Sequence, residues 1–370
     1  MKCTCARADL NDALTAVSKA VAIKPSTPVL AGIYLRAAGN EIELQATNFS
    51  VSITAQIPAN VESEGAVVVS GKIITAVVSK LDSEIVTLAN DDNPAALTLK
   101  SDAAAFELLS MDAEDFPQVH REDAAQSFRI RRRALVSLIS RTVFACSRDD
   151  SRPVFTGCLF DISAAGVTCV ATNASRIAVA RERIIDEADG LRFILHAATL
   201  RNLLSMLSFS TDELVTVDFS GNTVAFSFGT IYMSARVIDG AFPPYDKVIP
   251  LTASTTATLD VAELRRALER LAIIAADTDY NSAAFEFSPD GLAVTADSIN
   301  VGKSIEHIDA AVEGADIAPV FNISFLTDAL KVFEGKRISF YMNQPSAPVK
   351  ISAPDDASFD YILTPLRTQP

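Results

Sequence analysis

The stretch His196–Leu207, HAATLRNLLSML, decides how the whole chain is read. Its residues Leu200, Leu203, Leu204 and Leu207 fall at the spacing of one helix face. A segment of the same pattern, Ser70–Leu81 (SGKIITAVVSKL), begins 126 residues earlier. Another, Asn322–Phe333 (NISFLTDALKVF), begins 126 residues later. Each has a helical companion upstream: RADLNDAL from Arg7, RRALVSLI from Arg132 and VAELRRAL from Val261. An extended series around Asn48 (QATNFSVSI), Asn173 (VATNASRIAV) and Ser298 (VTADSINVGKSI) steps by 125 each time. DAEDFP ends at Pro117 and DGAFP at Pro243, again 126 apart. Self-similarity at one period along a whole chain means tandem copies of one unit. Three homologous domains are assigned to residues 1–122, 123–252 and 253–370, with linkers near His120–Gln126 and Pro250–Ser254.

Within the first copy a short strand (Lys2–Cys5) precedes a helix with the apolar stripe Leu10, Leu14, Val17 and Val21. Alternating pairs Ile33/Leu35, Ile42/Leu44 and Val51/Ile53 predict three strands, the first two joined by a turn at Gly39-Asn40. The scheme then recurs: strand Ala66–Val69, helix Lys72–Leu81, strands around Ile85–Leu88, Leu97–Leu99 and Phe106–Leu108. Gly221-Asn222 and Asp290-Gly291 supply hairpin turns in the later copies. Each domain is therefore two β-α-β-β-β halves with about eight strands, and the fold class is α+β.

The chain has 370 residues, 49% of them hydrophobic and 21% charged, with a net charge of −14. No apolar run approaches the ~18 residues of a membrane span. Asp9 and Asp12 sit where a signal peptide would be apolar, so an unexported, cytoplasmic protein is expected. Cys3, Cys5, Cys146, Cys158 and Cys169 are an odd, scattered set without a disulfide framework. A net charge of −14 argues against nucleic acid unless charge is sorted by face. It is so sorted. The six predicted helical segments, among them Arg131–Arg148 at +5, sum to +8, which leaves −22 for everything else. In Val261–Ala275 the buried stripe is Leu264, Leu268 and Leu271, while Arg266 and Arg270 point elsewhere. The same charge reading selects Lys72, Lys80 and Arg201 as candidate phosphate contacts. Solvated helix faces are the plainer explanation of these cations; a shared positive surface that binds phosphate without reading bases is the sharper one. The lack of tryptophan argues against base stacking.

Catalytic motifs are missing. Gly71-Lys72 lacks the glycine and hydroxyl of a phosphate loop, since Ala66 and Ile73 stand there. No Gly-x-Ser-x-Gly, paired histidines at helical spacing or Cys-x-x-Cys occurs. Asp149-Asp150 reads as a solvated loop pair, and the sequons at Asn48, Asn173 and Asn322 have no meaning without export. No enzyme activity, cofactor or metal is expected.

Taken in order, KPSTPVL at Lys24–Leu30, GCLFD at Gly157–Asp161, VATNASRIAV at Val170–Val179, DGAFPPYDKVIP at Asp239–Pro250 and YILTPLR at Tyr361–Arg367 resemble one family over the whole chain. It is the bacterial sliding clamp, or processivity factor: the beta subunit of DNA polymerase III. The resemblance implies a DNA clamp fold that closes as a head-to-tail homodimeric ring round duplex DNA. Such a ring binds DNA without regard to sequence, and tethers DNA polymerase III alpha, other polymerases, the clamp loader and repair proteins through short peptides. It adds Lys24, Arg148 and Arg152 to the DNA contacts. It implies a peptide groove of Phe155, Thr172, Arg176, Ile177, Pro243, Lys247, Val248, Ile362, Leu363, Pro365, Leu366 and Arg367. It places Phe106, Leu108, Ile273 and Ile274 at the ring interface. The chain departs from the family pattern at Ala197 and Ala198, where relatives carry basic residues, and at Ala174-Ser175, where they carry Gly-His. It departs again at Thr364 and in the tail Thr368-Gln369-Pro370. The alternative reading is a repeat scaffold for protein partners that never surrounds DNA.

Overall fold

The computed structural model describes residues 1–90, 93, 95–102, 104–186, 188–333, 335 and 337–367, so the tail Thr368, Gln369 and Pro370 lies outside the described residues. The first domain runs β1 (Lys2–Ala6), α1 (Arg7–Val17), β2 (Gly32–Ala38), β3 (Glu41–Thr47), β4 (Val51–Pro58), β5 (Asn60–Ser63), β6 (Gly65–Ser70), α2 (Gly71–Val78), β7 (Ile85–Ala89), β8 (Ala96–Lys100) and β9 (Ala105–Met111). The second runs β10 (Gln126–Arg131), α3 (Arg132–Thr142), β11 (Gly157–Ser163), β12 (Gly166–Thr172), β13 (Arg176–Glu182), β14 (Leu191–His196), α4 (Ala197–Phe209), β15 (Leu214–Phe219), β16 (Thr223–Phe228) and β17 (Ile231–Arg236). The third runs β18 (Thr255–Asp260), α5 (Val261–Ala275), β19 (Ser282–Ser288), β20 (Gly291–Ser298), β21 (Gly302–Ile308), β22 (Ala310–Glu313), β23 (Val320–Asn322), α6 (Ile323–Leu330), β24 (Arg337–Met342), β25 (Val349–Ala353) and β26 (Asp356–Leu363). The sequence scheme lacks two of these strands: β5, which pairs with β1, and β22, which pairs with β18.

The repeated markers have structural causes. In VATNASRIAV the Asn173 Oδ1 accepts from the N–H groups of Ser175 and Arg176, both at 3.1 Å, which turns the chain between β12 and β13. Asn48 does the same for Ser50 and Val51, and in the third copy Ser298 Oγ accepts from Asn300 and Val301. Asn322, the third sequon, caps α6 by accepting from the Phe325 N–H at 3.1 Å. The DAEDFP marker closes the first domain, because Phe116 is buried and stacks on Tyr34 at 5.3 Å. Gly39 and Gly221 take the left-handed conformation at the hairpin turns expected of them.

Three helices end earlier than their apolar periodicity suggests, each beside a hydroxyl that bonds back to a helix carbonyl. Ser18 donates to Thr15 O after α1, Ser79 to Ala76 O after α2, and Thr142 to Leu138 O at the end of α3. Val21 and Leu81 therefore lie beyond their helices, and Arg131 and Arg148 lie outside α3. The expected helix charge of +8 is corrected by this: the six helices as folded carry +4.

Among the described residues the strands form three sheets, two of which run across domain borders. β17 pairs with β4, so the first domain's sheet continues into the second half of the second domain. β13 pairs with β26, which joins the first half of the second domain to the third. Two compact units result: Met1–Arg132 with Ser205–Val237, and Arg133–Leu204 with the chain from Ile238. In the first unit α1 packs on β3, β4 and α2, burying Leu10, Leu14 and Val17. In the second, α5 packs on β20, β21 and α6, burying Leu264, Leu268 and Leu271 while Arg266 and Arg270 stay exposed.

Candidate functional site

The second unit gathers many of the residues assigned to the groove into one apolar cluster. Along the β13–β26 ladder Ile177 lies opposite Ile362 and Arg176 opposite Leu363. Side chains alternate along a strand, so the two pairs point to opposite faces. Ile177 and Ile362 join a cluster with Leu159, Val170, Val179 and Ile194, and partly buried Val154, Ile238, Phe242, Tyr245 and Ile249 pack against it. The Phe155 ring meets Phe242 edge-on at 6.4 Å, and the Arg152 guanidinium lies 5.8 Å above Phe155. The turn Tyr245–Val248 leaves Lys247 and Val248 exposed, with Pro243 half-buried just before it. After β26 the Thr364 N–H donates to Ser175 O and the Leu366 N–H to Val320 O. Those bonds hold Pro365 buried, Leu366 half-buried and Arg367 exposed. Partly buried apolar side chains with exposed Arg152, Lys247 and Arg367 nearby in the same unit are the chemistry an extended peptide with one or two hydrophobic side chains would need. Sequence reading missed Val154, Ile238, Phe242, Tyr245 and Ile249. DGAFPPYDKVIP holds three of them, but an irregular turn has no periodicity to mark its buried side chains.

Six residues assigned to the groove are buried: Thr172, Arg176, Ile177, Ile362, Leu363 and Pro365. Arg176 is only 7% exposed: its Nη2 donates to Phe144 O at 2.6 Å and its Nη1 to Asp328 at 3.1 Å. Its guanidinium also lies 4.4 Å from the Phe325 ring centre. Thr172 is buried, donating to Arg176 O at 2.7 Å and accepting from the Ala174 N–H. Leu363 is fully buried on the face away from Ile362. Arg176 ties β13 to α6 and fixes where Ile177 stands. Ala174 occupies this turn with φ of 74°, a left-handed backbone that favours glycine.

Among the described residues several strand edges are open, and two of them, on β9 and β21, carry large exposed hydrophobic side chains. The ladder from β6 reaches β9 only at Met111 and Ser110, so among the described residues one side of Ala105–Leu109 is unpaired. Phe106 on it is exposed, Leu108 is half-buried opposite Leu97, and Leu109 is 84% exposed. β21 is the outer strand of its four-stranded sheet and carries exposed Ile305. Beside it α5 presents Ile273, 73% exposed, with Ile274 half-buried. Leu109 and Ile305 were not identified from sequence.

The expected DNA contacts are all exposed but not all without partners, since Arg201 Nη2 donates to Val143 O at 3.4 Å and the Arg152 guanidinium lies over Phe155. Lys24, Lys72, Lys80, Arg148, Arg152, Arg201 and Arg266 are exposed, Lys24 with a left-handed φ of 51°. Arg270 is exposed but meets Glu306 of β21 through two hydrogen bonds, at 2.7 and 2.5 Å. The Arg270 hydrogen bond holds the Glu306 carboxyl below its ordinary range. That pairing neutralises the charge Arg270 was expected to offer to phosphate. Two cations from the strongly positive third segment are also engaged. Arg132 donates to the carbonyls of Asp212 and Leu207, and Arg141 pairs with Asp356 at 2.9 Å. In the adjacent loop, Asp149 accepts from the N–H and hydroxyl of Ser151.

The cysteines are less scattered than their spacing suggests. Cys146 and Cys158 have sulfurs 3.6 Å apart, and Thr142 Oγ1 lies 3.2 Å from Cys169 Sγ. None of the five cysteines is in a disulfide, and all five are buried. The bond to Cys158, with burial, pushes the Cys146 thiol far up; burial does the same to Cys158 and raises Cys5 to about 12. Because the thiolate is the nucleophile, iodoacetamide at pH 8 should leave the native thiols unmodified and alkylate all five once the chain is unfolded. Mass spectrometry reads the outcome, and rapid alkylation of Cys146 in the folded chain would contradict its burial. Among the described residues no group of three or more His, Cys, Asp or Glu is placed to hold a metal ion, and no helix is long and apolar enough to cross a membrane.

Comparison with known proteins covers the whole chain. Residues 1–120 match the N-terminal domain of the DNA polymerase III beta subunit, 129–244 its central domain and 246–367 its C-terminal domain. The beta sliding clamp of Synechococcus elongatus is 28% identical, over 99% of both chains. That of Bacillus subtilis is 26% identical over 100% of both. Among solved structures, the DNA polymerase III beta subunit of Thermotoga maritima superposes with a TM-score of 0.94 at 27% identity, covering 100% of both chains.

Proposed function

Because the chain belongs to the DNA polymerase III beta-subunit family of sliding clamps, we propose that two copies close head to tail into a ring round duplex DNA. The ring tethers polymerases, the clamp loader and repair proteins by their short peptides. Its work is retention rather than catalysis. The observation that carries this reading is the pair of open edges: β9 in the first domain and β21 with Ile273 in the third, each with exposed aliphatic side chains. Two different surfaces that meet head to tail and close after two copies make a ring with two equal joints. The domain limits 1–122, 123–252 and 253–370 place one edge in the first repeat and one in the last.

A closed ring needs no tight grip on DNA, so a helix charge of +4 suffices. Phosphate contacts from Lys24, Lys72, Lys80, Arg148, Arg152, Arg201 and Arg266 can be weak and salt-sensitive, and therefore permit sliding. Arg270 contributes less, being paired with Glu306. Loaded on circular DNA the protein should be retained, and cutting the circle should release it. Equal loss from both forms would favour a scaffold that does not encircle DNA.

In the groove, Pro243→Ala combined with Leu366→Ala should weaken an apolar partner peptide roughly thirtyfold, since two partly buried contacts of order 1 kcal/mol each are trimmed. Calorimetry measures the affinity and sedimentation the ring. Unchanged affinity would remove the groove assignment.

A further inference from the structure

The first unit holds a cavity of 590 Å³ that neither the groove nor the open edges use. Ile57 of β4, Met206 and Phe209 at the end of α4, and Phe228 and Ile231 of the β16–β17 hairpin give it an apolar lining. Phe209 is 84% exposed, although Leu200, Leu203, Met206 and Leu207 of the same helix are buried. An aromatic ring left largely in water on the wall of a partly apolar cavity is an anchoring surface without its counterpart. The volume lies within the roughly 300–1,000 Å³ of ligand-binding clefts.

The lining also has a sign. Asp9 and Asp12 of α1 and Asp212 stand against Lys19, two negative charges in excess. Asp212 is held in place, accepting from Ser210 Oγ at 2.8 Å. Gly229 lies so close beneath that an added Cβ would stand 2.6 Å from Asp212 Oδ2. Like charge at short range makes this surface unsuited to phosphate. The complement of an apolar cavity with an acidic margin is a hydrophobic side chain flanked by cations.

We propose that this cavity is a second docking site, taking a short peptide segment in which an aliphatic or aromatic residue is flanked by lysine or arginine. All its lining residues belong to the first unit and every groove residue to the second, so the two sites are separable by mutation. The inference does not rest on ring closure.

The test titrates a fluorescein-labelled Lys-Leu-Phe-Lys peptide and its Glu-Leu-Phe-Glu counterpart into the full chain, followed by anisotropy. The basic peptide should bind at least tenfold more tightly than the acidic one. Asp12→Lys with Phe209→Ser should lower its affinity at least tenfold; both residues are exposed, and an unchanged melting temperature would certify the fold. Pro243→Ala with Leu366→Ala should alter it less than twofold. Equal binding of both peptides, no binding at millimolar concentration, or indifference to the cavity variant would overturn the proposal. Loss of binding in the groove variant would reassign the peptide to the groove. A change in oligomeric mass on Asp12→Lys with Phe209→Ser would make a second copy the occupant and overturn it equally.

Discussion

A chain carrying Leu109→Glu and Ile273→Glu will sediment as a monomer at low micromolar concentration. Both side chains are largely in water in the single chain, so the substitutions leave its core untouched. In a head-to-tail dimer each occurs at both joints, and four aliphatic side chains are replaced by carboxylates. Burying one such side chain is worth about 1.5–3 kcal/mol, so the loss is roughly 6–12 kcal/mol before any cost of burying charge. At about 1.4 kcal/mol per tenfold change, the dissociation constant rises by at least about four orders of magnitude. Sedimentation velocity measures this directly. A dimer that persists would mean that the open edges of β9 and β21 are not the joints.

Arg176→Ala should lower the stability of the second unit by about 2–3 kcal/mol. Breaking a buried ion pair costs about 3–5 kcal/mol where both partners are enclosed. Here Asp328 keeps 38% of its surface in water, which brings the loss below that range. The Phe144 carbonyl loses its donor and Phe325 the cation above its ring. For a unit of this size about 1 kcal/mol moves the melting temperature by roughly 2–4 °C, so a fall of roughly 5–10 °C is expected. Arg176→Lys should not restore it, because an ammonium cannot reach the carbonyl and the carboxylate together while stacking on a ring. Peptide affinity should fall in parallel, as Ile177 loses its fixed position. Lost peptide binding at an unchanged melting temperature would instead make Arg176 a direct contact.

The groove shows why site residues are harder to read than the elements that bear them. Ile177 and Ile362 belong to regular strands, and their alternation is visible in IAVA and YILT. Phe242 and Tyr245 sit in an irregular turn, where no period separates a packing ring from a solvated one. Arg176 looks like a surface cation in any linear reading. Its burial depends on Phe144, Phe325 and Asp328, which lie 32, 149 and 152 residues away along the chain. Charge was misjudged for the same reason: Arg270, Arg132 and Arg141 count as free cations until their partners are placed.

The amino-acid order alone determined the threefold repeat, the helix and strand succession and the hairpin turns. Those features arise from contacts between residues close in sequence, where helical spacing, alternation and Asn or Gly turn chemistry act locally. Tertiary structure alone decided that β17 continues onto β4 and β13 onto β26, dividing the middle repeat between two units. It also decided which cations are neutralised, which strand edges stay open and where the acidic cavity lies. Each of these joins segments far apart in the chain, and such pairing is fixed by packing and charge partners that no local pattern records.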